Sequence, residues 1–468
     1  MLALATVLAA ACGSNSGGQS GGALPTLSYA GATGMVDDVG TAMRVSPTML
    51  ASNGAALTAC GVKPGSANAS AFPGTLSVDA STCVISGTPT APLPATQFTL
   101  MATNSAGTSA DATVTLTIHA GWLKQMGVAF QYSLATGVAV DASGNSYVAG
   151  YTTGGMYRNT QTGIDDCFIA KYDATGTLTW LKQLGVASKT SFATGVAVDA
   201  SGNSYVAGFT NGGLDGNPQI GNQDYFIAKY DATGTLIWLK QLGVASKTSF
   251  AKGVAVDASG NSYVAGFTTG GLDGNTQTGI DDFFIARYDA TGTLTWLKQL
   301  GVASQTSYAQ GVAVDASGNS YVAGYTAGGL DGNPQIGNQD YFIAKYDATG
   351  TLTWLKQLGV ASQTSYAQGV AVDASRNSYV AGYTAGGLDG NTQTGIDDYF
   401  IAKYDATGTI TWLKQLGVAS KTSYAQGVAV DASGNSYVAG STNGGLDGYT
   451  HTAIDDYFIA NYNSSGDR

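Results

Sequence analysis

The chain contains no glutamate: its 31 acidic residues are all Asp. It has two His, four Cys and nine Pro in 468 residues, and Lys and Arg together number 20. Each shortage excludes something. Glu is a strong helix former, while the abundant Gly, Asp, Tyr and Val favour turns and strands, so the balance is all-β. A net charge of -11 with no run of Lys or Arg leaves no basic stripe to neutralise phosphate, so nucleic acid is not an expected partner. Past the start, no apolar run is long enough to cross a bilayer as a helix. Acid–base catalysis is equally poorly supplied. The His residues are His119 and His451, and the Asp residues recur at turn positions, whereas an active site needs asymmetric groups held together. Cys167 stands where related positions carry an aromatic strand residue, which suits a buried thiol better than a nucleophile. An enzyme is not expected.

What is present is a repeat. The stretch from Gly253 to Gly266 reads GVAVDASGNSYVAG, and it begins again at Gly137, Gly195, Gly311, Gly369 and Gly427, always 58 residues apart. Only Arg376, where the other copies have Gly, breaks it. Each unit carries four strand signals; in the third they are Gly253 to Asp257, Ser262 to Thr268, Phe283 to Asp289 and Thr293 to Leu300. Short Asp-Ala-Ser-Gly-Asn and Asp-Ala-Thr-Gly joints suit tight hairpins, because Asp caps a turn and Gly takes positive φ without strain. Four antiparallel strands repeated around an axis make a β-propeller. The six Trp residues (122, 180, 238, 296, 354 and 412) all fall in fourth-strand patterns. Trp122 to Gly127 is thus a fourth strand without its first three, and Tyr457 to Tyr462 a third strand without a fourth. The expectation is a six-bladed β-propeller over residues 121–463, closed by the Trp122 strand, with an open array or a dimer sharing blades as the alternative. The hairpin and third-strand patterns resemble the SBBP (seven-bladed β-propeller) repeat and, more distantly, the NHL repeat.

The first 118 residues lack the repeat. Leu2 to Ala11 is mostly apolar and ends in small residues before Cys12, followed by a Gly/Ser-rich stretch. This resembles a bacterial lipobox. The resemblance implies a signal peptide at 1–11, a lipid-bearing Cys12, a tether at 12–24 and an exported protein anchored in the cell envelope, in the outer membrane or at the cell surface. Residues 25–118 alternate short strands with Gly, Pro and Asn turns, as a small β-sandwich does. Their Ile85-Ser86-Gly87-Thr88-Pro89 and Ala102-Thr103-Asn104-Ser105-Ala106-Gly107 series is similar to immunoglobulin-like modules of bacterial surface proteins, which act there as spacers or adhesive units. Cys60 and Cys83 fall inside this module and would pair in an oxidising compartment, or else stay as buried thiols.

Candidate binding residues follow from what the long loops of each repeat carry, since loops held by a rigid scaffold are where recognition sits. One position is aromatic in five copies, as Phe192, Phe250, Tyr308, Tyr366 and Tyr424, and would form a collar near the axis. Symmetry breaks at Tyr157 and Arg158 in the first unit and at Tyr449 and His451 in the sixth; closure would set these side by side as a pocket. Asp pairs such as Asp281 and Asp282, with Asp273, are candidate Ca²⁺ ligands, against a plain turn-capping role, and no EF-hand spacing accompanies them. The functional expectation is a binding or adhesion module for an extracellular protein or glycan. A surface scaffold without a discrete ligand is the alternative, and a propeller hydrolase or lyase a more remote one.

Overall fold

The computed structural model describes residues 23–29, 35–38, 42–119 and 121–468, so the expectations placed on residues 1–22, Cys12 among them, lie outside it. The chain divides into two compact units, Met1–Lys124 and Gln125–Arg468. Among the described residues there is no α-helix, only strands and single 3₁₀ turns. No described helix is long and apolar enough to cross a membrane.

The first unit packs a five-stranded and a three-stranded sheet, with a two-stranded pair beside them. Alternation along Leu93–Asn104 and Ala112–His119 turns Phe98, Leu100, Ala102, Val114 and Leu116 into one core. Cys60 and Cys83 are joined by a disulfide, with Cα atoms 5.4 Å apart, and Cys83 is fully buried in that core.

The second unit is six propeller blades in chain order. Five are four-stranded sheets in the order first-second-third-fourth. Blade one comprises Ser133–Val140, Ser146–Thr152, Asp166–Tyr172 and Leu178–Leu184. Blade three comprises Ser249–Val256, Ser262–Thr268, Asp282–Tyr288 and Leu294–Leu300. The first strand therefore starts four residues before the Gly that opens the repeated motif. It holds a β-bulge between Ala251 and Gly253, which the alternation conceals.

Both short turns are built around Asp. Asp257 Oδ1 accepts the N–H groups of Ser259 and Asn261, each at 2.9 Å, and its Oδ2 takes the Asn261 side chain at 2.8 Å. Gly260 supplies the positive φ of 76°. Arg376 occupies that position in blade five at φ 68°, so the turn is left-handed there too.

One set of contacts, repeated, holds consecutive blades together. The Tyr263 hydroxyl sits 3.1 Å from both Asp257 Oδ2 and the Gly318 carbonyl of the next blade. Trp238 donates its indole N–H to Ala290 O at 3.3 Å and stacks on Tyr288 of blade three. Buried Tyr225 and Tyr288 share a hydroxyl hydrogen bond of 2.8 Å across the same junction, and the bond recurs between Tyr341 and Tyr404 and between Tyr399 and Tyr462, but not where Cys167 or Phe283 replaces the first Tyr. Residues Ala207, Tyr225 and Ile227 of blade two thereby close over Ala251, Val264 and Phe284 of blade three.

Two expectations need correction. Residues 122–128 form no strand, and the sixth sheet has three: Ser423–Val430, Ser436–Thr442 and Asp456–Tyr462. The ring fastener assigned to Trp122 is therefore absent. First strands of neighbouring blades pack along the series, but no such packing joins blade six to blade one. The blades form an open array, and the period alone could not have revealed this, because closure depends on the rotation set at each packed junction rather than on strand count.

Candidate functional site

The aromatic position first placed in a loop lies on the first strand of each blade. The bulge at residue 252 moves the register by one, so that Phe250 stands opposite Phe267 of the second strand. The same offset pairs Phe192 with Phe209, Tyr308 with Tyr325 and Tyr366 with Tyr383. Three of these pairs are roughly parallel, with centroids 4.9–5.1 Å apart, and Tyr308 is tilted by 38° to Tyr325. Between blades the contact turns edge-to-face: Tyr151 to Phe192 at 4.5 Å, Phe209 to Phe250 at 4.4 Å, Phe267 to Tyr308 at 4.5 Å, Tyr325 to Tyr366 at 4.6 Å and Tyr383 to Tyr424 at 4.6 Å. Alternating stacked and T-shaped contacts suit the quadrupole of aromatic rings and hold them rigid. The result is a ladder of ten half-buried rings along the first two strands of blades one to six. Leu134 heads it, and Ser441 stands where a sixth second-strand ring would be.

The ladder is not uniform. In its first half four of five rings are Phe, and the bulged residues beside them are Thr136, Thr194 and Lys252. In its second half all five are Tyr, beside Gln310, Gln368 and Gln426. Thr194 spends its hydroxyl on backbone carbonyls, Ala207 O at 3.1 Å and Ala251 O of the next blade at 3.0 Å. Lys252 lies over the Phe267 ring at 5.8 Å, and its partial burial lowers its pKa. Burial raises the phenols of Tyr325, Tyr366 and Tyr424, and that of Tyr383 up to about 12, so they remain neutral O–H groups. The Tyr308 hydroxyl donates to Asp281 at 2.6 Å, and that of Tyr424 to Asp397 at 3.0 Å. A pocket of 390 Å³ opens among Gln368, Tyr383, Tyr424, Ala425 and Gln426.

The long loop of each blade is anchored by its second Asp. Fully buried Asp282 accepts Gly279 N–H on Oδ1 at 2.7 Å, and Thr278 N–H and the Gln299 amide on Oδ2 at 2.8 and 2.9 Å. Asp166, Asp224, Asp340 and Asp398 repeat the clasp, each with its own Gln. These carboxylates serve N–H donors, and Asp273 stands in the 3₁₀ turn at φ 48°. No cluster of three or more His, Cys or Asp residues able to hold a metal occurs among the described residues. Of the residues offered for Ca²⁺, Asp282 forms this clasp, Asp273 sits in the turn and Asp281 accepts from the Tyr308 hydroxyl.

The structure does not bring the four symmetry-breaking residues together, because the junction that would juxtapose them is open. Tyr157 and Arg158 occupy the two left-handed positions filled elsewhere by Asp-Gly, with φ 41° and 68°, and the Arg158 guanidinium lies 5.8 Å from the Tyr157 ring. Tyr449 lines a groove of 510 Å³ on blade six with Leu446, Tyr457 and Ile459. The His451 Nε2 is buried without a partner. The rings missed from sequence are Tyr151, Phe209, Phe267, Tyr325 and Tyr383. Their recurrence inside the repeated second strand was visible, but the bulge that pairs them with the first strand was not.

Blades of this four-stranded design, repeated at 58 residues, define a β-propeller repeat protein. Segments 121–157, 179–215, 237–273, 295–331, 353–389 and 411–447 each match the SBBP β-propeller repeat, and residues 25–119 match the He_PIG family of Ig domains. The chain carries six SBBP β-propeller repeats with an Ig domain ahead of them. It is 24% identical over 377 residues to a WD repeat-containing protein of Acanthamoeba polyphaga mimivirus, covering 61% of this chain and 27% of that one. It is 26% identical over 310 residues to the regulatory protein FlaEY of Caulobacter vibrioides, covering 58% and 31% respectively. The chain thus spans less than a third of the length of either relative. Similar solved structures include a protein of unknown function from Bacteroides thetaiotaomicron (TM-score 0.34, 11% identity, 93% of this chain and 98% of that one). Another is the rhamnogalacturonan lyase YesW (TM-score 0.32, 11% identity, 95% and 75%).

Proposed function

We propose that this is an exported, envelope-anchored binding module whose propeller holds glycan chains against the aromatic ladder. The observation that supports the reading is the ladder itself: ten partly exposed rings, locked by their neighbours, along one line of the blade array. Rigid, half-exposed aromatic surface with a few aimed polar groups is the composition of a ligand site. Sugar rings present an apolar C–H face to stack and a rim of hydroxyls, and the Tyr and Gln half supplies hydroxyl and amide partners for such a rim. Binding rather than catalysis is supported by the state of the titratable groups. The phenols stay protonated, and Asp281 and Asp397 are hydrogen-bonded to Tyr hydroxyls. Export rests on the lipobox-like sequence ending at Cys12, with the Ig domain as spacer.

The test is a screen of the full chain on arrays of glycans and of extracellular proteins, beside a Tyr366→Ala/Tyr383→Ala variant. Glycan binding that the variant loses is the expected result. Binding only to proteins, or glycan binding that survives the substitutions, would sink the proposal.

A further inference from the structure

We infer that blade three carries a subsite for an anionic sugar, a uronate or a sulfated residue, held by the Lys252 ammonium beside the Phe half of the ladder. Such a subsite rests on the glycan reading above and narrows the class of sugar that the ladder selects. Lys252 is the bulged residue of its first strand, and its equivalents run in a row along the blades: Thr136, Thr194, Lys252, Gln310, Gln368 and Gln426. The row is continuous, because first strands of successive blades pack closely. A Cβ on Gly195 would lie 3.5 Å from Val254 Cγ1, and one on Gly253 would lie 3.2 Å from Val312 N. Five of the six residues are neutral, and Lys252 is the one cation among them.

Among the described residues no counter-ion meets that charge. Lys252 is half-buried with its Nζ over the Phe267 ring, and the ion pairs, Lys63 with Asp111 and Arg468 with Asp447, do not include it. Asp281, which reaches the ladder, is taken by the Tyr308 hydroxyl at 2.6 Å. Burial lowers the Lys252 pKa, and no carboxylate acts against that. An unpaired ammonium held partly out of water costs stability that a neutral residue would spare. Thr194, in the same place on blade two, bonds Ala251 O of the next blade, a contact that Lys252 does not reproduce. Beside Lys252 stand half-exposed Phe250 and Phe267, roughly parallel with centroids 4.9 Å apart. They offer apolar faces for a sugar ring, and the ammonium offers a partner for its acidic substituent. An anionic group on a sugar stacked there would complete the ion pair that the chain leaves open, in surroundings less polar than water, where such a pair is stronger.

Matched oligosaccharides on an array, probed with the full chain, test this. The set is glucose, galactose and mannose oligomers, the corresponding uronate oligomers, and sulfated forms of the neutral members. At ~50 mM salt the wild type should bind acidic members about tenfold more tightly than their neutral counterparts, and the preference should shrink as added salt screens the charge. Whichever acidic set is preferred names the anion. Lys252→Gln brings in the residue that blades four to six carry at this position, so circular dichroism and melting temperature should show the fold intact. It should abolish the acidic preference and spare the binding of neutral members, while Lys252→Arg should keep the preference. Neutral glycans bound without an acidic preference, or a preference that survives Lys252→Gln, would overturn the subsite and leave the ladder reading in place. Binding of no glycan at all would remove the ladder reading and the subsite with it.

Discussion

Gly301→Ala should damage blade three severely, and removing a second side chain should take most of that damage away. Gly301 lies beside the buried clasp of Asp282, and a Cβ there would fall 1.7 Å from Asp282 Oδ1 and 2.4 Å from its Cγ. No rearrangement short of expelling the carboxylate relieves such an overlap. Expulsion leaves the N–H groups of Thr278 and Gly279 without acceptors, while Gln299 keeps its bond to Gln277 Oε1. At ~1–3 kcal/mol for each stranded buried donor, Asp282→Ala alone should cost about 4 kcal/mol. Gly301→Ala forces the same loss and should cost about as much or more, with overpacking added. In the double variant the oxygen that caused the overlap is gone, and of the three atoms nearest the new methyl the Cβ of residue 282, at 3.2 Å, is the one that remains. Its total should stay near that of Asp282→Ala, a coupling of about 4 kcal/mol where independent sites add to within ~0.5 kcal/mol. Because a blade array need not unfold as one unit, local stability is best read by hydrogen exchange of blade-three peptides. Additive losses would refute the clasp.

Other expectations are simpler to check. Arg376→Gly should raise the melting temperature: a non-Gly residue at φ 68° costs ~1–2 kcal/mol, against which Arg376 sets one exposed hydrogen bond to Ser317, so the net gain is about 1 kcal/mol. The 3.5 Å contact from Tyr321 to the residue 376 carbonyl should also tighten toward the 3.1 Å of its equivalents; an unchanged or lower melting point contradicts this. Asp231, Asp289, Asp347 and Asp405 are held below the usual carboxylate range, chiefly by the hydroxyls of Thr233, Thr291, Thr349 and Thr407. A lowered pKa stabilises above the ordinary value of 3.8 and loses that effect as pH falls through the folded value, so melting temperature should drop below about pH 4. Replacing the four Thr by Ala should flatten that drop; an unaltered acid profile would refute the assignment. Burial pushes the Cys167 thiol up to about 12. With Cys12 replaced by Ser, the native protein should not react with a thiol reagent at pH 8, and the unfolded one should release one equivalent; prompt native labelling would contradict its burial.

How much of this was legible in the sequence depended on the range of the interaction. The two short turns are local, and Asp, Gly and Asn at fixed offsets announced them; the geometry at Asp257 and Gly260 is what those residues permit. The partners of the long loop were less legible, since Asp282 finds Gln299 17 residues later and only a folded sheet brings them together. The bulge at Lys252 is a single-residue slip that the alternation on either side masks, so half the rings of the ladder could not be paired with their neighbours beforehand. Trp122 repeats the fourth-strand pattern faithfully, yet its segment forms no strand. Pattern specifies what a strand can do, but a neighbouring edge must be in place before it does so.

The central claim is that the aromatic ladder is a stacking surface, and calorimetric titration of a glycan identified on the array tests it at one ring. Tyr366 packs against Tyr325 and Tyr383 and is half exposed. Tyr366→Phe keeps the stacking face and should hold affinity within about threefold, whereas Tyr366→Ala removes it and should lose at least tenfold, corresponding to ~1.4 kcal/mol. Equal affinity in wild type and Tyr366→Ala, with the fold intact by circular dichroism, would contradict the account.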